Sequence, residues 1–414
     1  MSPNYILIAI PFFFGSILFE FLYGKFKGKT WYNFEDAITN LNLGVGSQAF
    51  NAMTKLFIFA IFTYIFDHFA PFKQEASIFS FILCVVAFDF IYYWAHRWGH
   101  EWNIFWGAHI VHHQSQEYNL SVALRQPWFH HMLAFVLFLP IPLLGFHPIV
   151  FGSAAAFVTL YQYWIHSQAI RSLGWFEWIF NSPSHHRVHH AINPQYLDKN
   201  YGAVFIIWDR LFGTFVKEEE EPEYGTTIPL NSWNPFWANI HFYMDVFEGM
   251  KIEKGLWNKL SLWWKGPEYL GKLLNQDSSK YKNKEGHVEK YHVKPELNMQ
   301  VYVLVQFIAL AFGIVSFLGH FSELSWFYRI VFFSLIILTT MNCGAILEGR
   351  KWVNRVEILR FIVFLPIYNV LYMTYYASWV KWVMPISIVL TVGFLTWLAI
   401  NFLYYNRKNQ LVKG

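Results

Sequence analysis

Long apolar runs separated by short polar ones dominate the 414-residue chain. Crossing a ~30 Å hydrocarbon core takes about 20 apolar residues. Runs approaching that length lie at about 4–23, 45–66, 77–95, 300–319, 327–347, 357–376 and 382–405, the second interrupted by Lys55. Two shorter runs, Met132–Gly145 and Ile149–Ile165, flank Phe146, His147 and Pro148, and the first contains Pro140 and Pro142. At ~1.5 Å per residue, and bent by proline, they read as a hairpin returning to the side it left. The pattern predicts an all-α, polytopic helical membrane protein. The first run has no basic segment before it and no small-residue cleavage site after it, so it reads as a retained anchor.

Composition agrees. The chain is 55% hydrophobic, 21% aromatic and only 14% charged, against about 25% charged in soluble domains; mean hydropathy is +0.27. A soluble enzyme, a disordered chain and a disulfide scaffold are all disfavoured. The net charge of +4 comes without a dense Lys/Arg block, so nucleic acid is not expected as a partner. Cys84 and Cys343 lie in apolar runs and read as buried thiols.

Basic residues near span ends set orientation. Lys25, Lys27 and Lys29, then Arg350, Lys351, Arg355 and Arg360, and finally Arg407, Lys408 and Lys413 fall on one face when crossings are counted; the opposing loops offer Lys73 and Lys381. The same count places the polar stretches 96–131 and 166–298 on that face, expected to be cytoplasmic. Lys217 to Glu221 opens the long polar stretch and reads as a solvated loop. Within it, Leu256 to Lys265 mixes Trp and Leu with Lys, the pattern of an interfacial helix or of a packed cap.

Histidine is where the pattern becomes chemical. Of 18 His, 13 fall between 96 and 190. His96 and His100 are i,i+4 and share a helical face. His109, His112 and His113 line one stripe, as do His186, His189 and His190, and His166 stands between these boxes. Imidazole suits Fe, Zn, Cu and Ni. Two clustered metals need roughly eight to ten donors; these nine, with His185 as a further candidate, meet that demand where one zinc ion could not use them. No Cys joins them, which argues against an iron–sulfur cluster or a thiolate zinc site. Asp89, seven residues before His96, is placed to accept the second N–H of a ligating ring, or to make a plain helix–helix hydrogen bond. Glu101 follows box one and is a candidate for the same role or for a proton relay. Gln162, one turn before His166, is a candidate metal or water ligand. Asn119, Arg125 and Gln126 follow box two and are candidate contacts to a lipid headgroup. His130 and His131 lack box spacing and read as interfacial.

The boxes, as HRWGHE, HIVHHQS and SPSHHRVHH, resemble the membrane fatty acid hydroxylase/sterol desaturase superfamily. The stretches HRWGHEWNIFWGAHIVHHQSQEYNLSVALRQ, YQYWIHSQAI, NSPSHHRVHHAINPQYLDKNYG, IWDRLFGTF and WKGPEYLG narrow the resemblance to its alkylglycerol monooxygenase branch, over most of the chain. The resemblance implies a diiron centre on the cytosolic face, held by His96, His100, His109, His112, His113, His186, His189 and His190. It also implies an additional histidine, here His166. Some relatives place a second histidine one turn earlier, where this chain has Gln162, so the tenth ligand stays open. The branch further implies tetrahydrobiopterin as reductant, whereas fatty acid hydroxylases and sterol oxidases draw electrons through a cytochrome b5-type donor. No fused haem domain is expected at either end.

The organisation expected is N-terminal transmembrane helices over 1–76, a histidine-box hydroxylase domain over 77–215, a polar linker with an interfacial helix over 216–298, and C-terminal transmembrane helices over 299–414. The function expected is that of an integral-membrane diiron monooxygenase of a bacterial inner membrane or endoplasmic reticulum. It would use two Fe ions, O2 and an external reductant to hydroxylate an ether lipid beside its oxygen, so that the resulting hemiacetal collapses to a fatty aldehyde and a glycerol derivative. The alternatives are a fatty acid, sphingolipid or sterol hydroxylase or desaturase with the same boxes, and a metal transporter. The transporter is disfavoured because its ligands belong at mid-membrane on spanning helices.

Overall fold

The computed structural model describes residues 5–362, together with 392, 393 and 396. Among these, five helices are long and apolar enough to cross a membrane, as expected of a multi-pass membrane protein. They are α1 (Tyr5–Phe26), α2 (Phe34–Phe69), α3 (Ile78–Glu101) and, late in the chain, Leu297–Gly319 and Trp326–Leu347. The runs expected to span at 357–376 and 382–405 fall mostly outside the described residues.

The second span begins 11 residues before the apolar run does. The Asn33 side chain caps α2 by accepting the Asp36 N–H, and Glu35 and Asp36 sit where the helix dipole favours acids. Polar residues of this first half are buried rather than solvated: Asn40 donates to Ser121 Oγ at 3.1 Å, and Ser115 Oγ donates to Asp36 at 2.7 Å. Close approach is paid for in side-chain volume, with Gly44 against the Leu124 carbonyl and Gly46 against the Trp128 indole. Small residues serve this purpose inside membranes, where apolar burial drives helices together only weakly. Glu20 of α1, buried, accepts from Tyr32 Oη, Leu120 N, Ser167 Oγ and Gln168 N, fastening that helix to the polar end of the bundle.

Ser77 and Ser80 cap α3 reciprocally. Its 24 residues reach ~36 Å at 1.5 Å per residue, so its last turns, which carry box one, extend past the hydrocarbon. Trp102 adopts an extended conformation and turns the chain into α4 (Asn103–His113), which carries box two. The hairpin that follows is short and broken, as its prolines predict, and leads into α5 (Pro148–Trp164). Helix α5 packs along α3 through Cys84, Val85, Phe88, Val150, Ala154 and Val158. The Gly145 carbonyl accepts the Gln74 N–H at 2.9 Å, so the hairpin tip reaches the connection that precedes α3. Box three occupies α6 (Pro183–His189), with proline in its first turn; α7 (Ile207–Phe212) ends on left-handed Gly213.

The long polar stretch contains a helix that its mixed pattern conceals, α8 (Pro235–Ile252), capped by Asn234. Its Ala238, Phe242 and Val246 pack with Ile110 and Val111 of box two. The interfacial segment is a single helical run of Leu256–Ser261 continued by a tight turn, with Leu256, Trp257 and Trp264 exposed and Leu262 buried. Ring contacts link Trp94, Trp98, Trp102 and Trp264 in sequence, so the aromatic face of α3 runs on into that segment. The two late spans, α9 (Leu297–Gly319) and α10 (Trp326–Leu347), pack with α2 through Ala49, Leu310, Ile314, Phe317 and Ile336.

Candidate metal centre

Three helices and the turn that ends α5 deliver nine imidazoles to the polar end of the bundle. They sort into two groups in which ring nitrogens lie within 4.8 Å of one another: His96, His100, His109, His113 and His189, and His112, His166, His186 and His190. All nine are between 2 and 8% exposed. Each His-x-x-His-His box is shared between the groups, because i,i+3 and i,i+4 neighbours on one helix point to adjacent positions. The groups also abut: the His113 and His190 rings stack with centroids 4.4 Å apart.

Backbone carbonyls set the tautomers. A carbonyl can only accept, so a ring nitrogen facing one carries the proton and leaves the other nitrogen with its lone pair. His96 Nδ1 faces the Tyr201 carbonyl at 2.7 Å and His189 Nδ1 the Lys199 carbonyl at 2.9 Å. His112 Nδ1 faces that of Arg125 at 3.0 Å, and His166 Nδ1 that of Gln162 at 2.7 Å. His112 Nε2 and His166 Nε2 consequently meet at 3.1 Å as two lone pairs. No hydrogen bond satisfies that arrangement; a cation between them does. His100 Nε2 and His189 Nε2 are buried and have no hydrogen-bond partner among the described residues. The donor set fits a pair of metal ions.

Burial also keeps seven of these rings neutral. It pushes His112 down to about 4 and holds His109, His113, His166, His186, His189 and His190 well below the usual histidine range, with neighbouring imidazoles adding to the effect. Neutral imidazole is the form that binds metal, so little proton competition remains near pH 7.

Other candidates lie elsewhere, and each displacement has a physical reason. Asp89 does not touch an imidazole: its carboxylate accepts Val204 N at 2.7 Å, Phe205 N at 3.1 Å and Trp208 Nε1 at 2.9 Å. Glu101 pairs with Arg97 at 2.8 Å at the exposed side of α3. Gln162 spends its side chain on Tyr92 Oη and the Val158 carbonyl, and only its peptide carbonyl serves His166. His185 belongs to neither group; it packs against Phe215, and burial pushes it down to about 4.

Of the expected headgroup residues, Asn119 and Arg125 are buried and Gln126 is half-buried. Asn119 is fully buried and donates to the Trp31 carbonyl. Arg125 is buried and donates to Val111 O, Asn40 Oδ1 and Gln114 Oε1 at 2.6, 2.9 and 3.0 Å. Gln126 bonds the Ala123 carbonyl. His130 does approach the site, its ring 5.9 Å from that of His109.

Sequence reasoning missed Asp198, whose carboxylate lies 3.3 Å from His100 Nδ1, and the loop carrying the Lys199 and Tyr201 carbonyls. Asp198 and Asn200 both have positive φ, near 58° and 57°. Asp and Asn tolerate that region best, so Asp-x-Asn was a readable turn signal, though silent about what the turn would face.

A helical membrane bundle closing on two all-imidazole groups defines a histidine-box membrane hydroxylase, and the fatty acid hydroxylase family model matches residues 81–214, the stretch that holds all nine rings. Alkylglycerol monooxygenase of Danio rerio is 34% identical over 371 residues, covering 89% of this chain and 83% of its own length; that of Homo sapiens is 34% identical over 373 residues with the same coverage. The chain belongs to the alkylglycerol monooxygenase family. Lathosterol oxidase of Homo sapiens is 28% identical over 148 residues, 35% of this chain and 46% of its own. No solved structure matches.

Proposed function

We propose that this protein is a membrane monooxygenase that cleaves the O-alkyl bond of alkylglycerol ether lipids at the cytoplasmic face, with two iron ions, O2 and tetrahydrobiopterin as reductant. The observation that carries the reading is the pair of abutting, buried imidazole groups in a chain related over 89% of its length to alkylglycerol monooxygenases. An all-nitrogen donor set without thiolate suits iron. Basic residues at one set of span ends support the cytoplasmic side. The pterin rests on family resemblance, and no residue is assigned to it.

His96, His100, His109, His113 and His189 would hold one ion, and His112, His166, His186 and His190 the other. When bound, the pair supplies O2 activation and removal of a hydrogen from the carbon beside the ether oxygen. One oxygen atom would enter that C–H bond and the other leave as water, the two electrons and two protons this needs coming from the reductant and the medium. The hemiacetal then collapses to fatty aldehyde and a glycerol derivative. The protein's share is positional. Carbonyl-held tautomers keep lone pairs aimed inward, and burial excludes water that would otherwise reach a reactive centre. Box one ends the spanning helix α3, which sets the site beside the bilayer from which an alkyl tail would arrive.

A sterol or fatty acid hydroxylase reading draws on the lathosterol oxidase match, which covers only about a third of the chain. Membranes containing the protein, given an alkylglycerol and reduced pterin, should release fatty aldehyde. Hydroxylated acyl product with the ether intact would overturn the ether-lipid reading.

A further inference from the structure

The IWDRLFGTF segment has no part in the ligand set, yet it contains Asp209, a fully buried carboxylate. Its Oδ1 accepts the Tyr201 N–H and the Thr214 hydroxyl, both at 2.7 Å, and its Oδ2 accepts the Gly202 N–H at 2.7 Å. The Gly202 N–H and the Tyr201 carbonyl belong to one peptide plane and point in opposite directions, since the bond is trans. Asp209 therefore grips one edge of the plane whose other edge receives His96 Nδ1. A second plane repeats the arrangement. The Lys199 carbonyl receives His189 Nδ1, while the N–H of that peptide, on Asn200, donates to the Thr214 carbonyl at 3.1 Å. Thr214 is in turn bonded through its hydroxyl to Asp209. Both rings belong to the five-histidine group, and neither belongs to the other.

We propose that Asp209 is a positioning residue for the five-histidine group, acting on His96 and His189 through two intervening peptide planes. Metal-bound histidines ordinarily give their other N–H directly to a carboxylate or carbonyl. Here the carboxylate sits one peptide further out and sets two rings at once, and hydrogen bonds in such a chain polarise one another. Asp89 secures the continuation of the same loop at Val204 and Phe205, and the Asn200 side chain ties the loop to His185 and Val216, but only Asp209 and Thr214 accept the N–H groups of the two planes that face the rings. The four-histidine group takes its tautomers from Arg125 and Gln162 instead. The role is therefore specific to one ion.

This inference rests on the reading that the two groups each hold iron, and the test separates the two. Full-length protein and its Asp209→Asn variant are loaded anaerobically with 57Fe(II), and iron per chain and Mössbauer doublets are measured. The amide presents an N–H to a backbone N–H and cannot replace the lost acceptor. Wild type should hold two irons with two doublets. The variant should keep one doublet unchanged and bind the other iron about 10–100-fold more weakly, the range seen when outer partners of ligands are lost. A variant that holds both irons as tightly as wild type, or loses both in parallel, overturns the inference while leaving the two-iron reading intact; wild type without two irons sinks that reading as well. If Asp209→Asn does not accumulate, Thr214→Val decides. It keeps the carboxylate and removes one arm, so a smaller weakening confined to the same doublet supports the role, and unchanged binding of both irons refutes it.

Discussion

Arg125 shows how little of a side chain's purpose is visible one position at a time. Following box two in a polar segment, it reads as a headgroup contact, but it is buried with each of its three guanidinium nitrogens donating inside the protein, and its carbonyl fixes His112. Truncation to Ala strands the acceptors of Val111, Asn40 and Gln114, and each buried unsatisfied group costs about 1–3 kcal/mol. Arg125→Ala should therefore lower the melting temperature of the detergent-purified protein markedly; a variant that melts like wild type but shows a raised KM for lipid would restore the headgroup role. The histidines were legible because i,i+3 and i,i+4 spacing fixes a shared face whatever the fold. Asp89 was not, since spacing puts it on the face of His96 but cannot disclose that a loop 115 residues later reaches it first. The same limit hid Asp198 and Asp209, which act across the fold.

At the scale of elements, apolar length located α1, α3, α9 and α10 well. It found only the apolar part of α2, whose first turns carry polar residues buried by partners distant in sequence, and it missed α8. Asp36 and Asn40 belong to a helix because Ser115 and Ser121 meet them, and α8 hides its apolar stripe within a charged stretch because it packs on box two. The approach of α2 to the segment after box two depends on Gly44, where a Cβ would collide with the Leu124 carbonyl. Backbone cannot swing aside as a flexible side chain can. Gly44→Ala should destabilise by about 1–3 kcal/mol, the usual cost of overpacking, whereas Gly15→Ala, with open space around it, should not. Thermal unfolding of the two variants side by side checks this; equal melting points would show that α2 tolerates displacement.

For the molecule as a whole, the spanning helices bring a polar end into register so that three boxes from separate helices, plus His166, close on one buried volume. Four backbone carbonyls orient four rings, and two of the resulting lone pairs face each other at 3.1 Å. A fold that stores such a contact is built around positive charge. The claim on which everything else depends is that this charge is a pair of irons, one in each imidazole group. Iron per chain, measured after anaerobic loading of the purified protein with ferrous ion, tests it most directly. The expected value is two for wild type, falling to about one in His189→Ala and in His112→Ala, with a different Mössbauer doublet lost in each. One iron or none in the wild type, or two irons that persist in both variants, would contradict it.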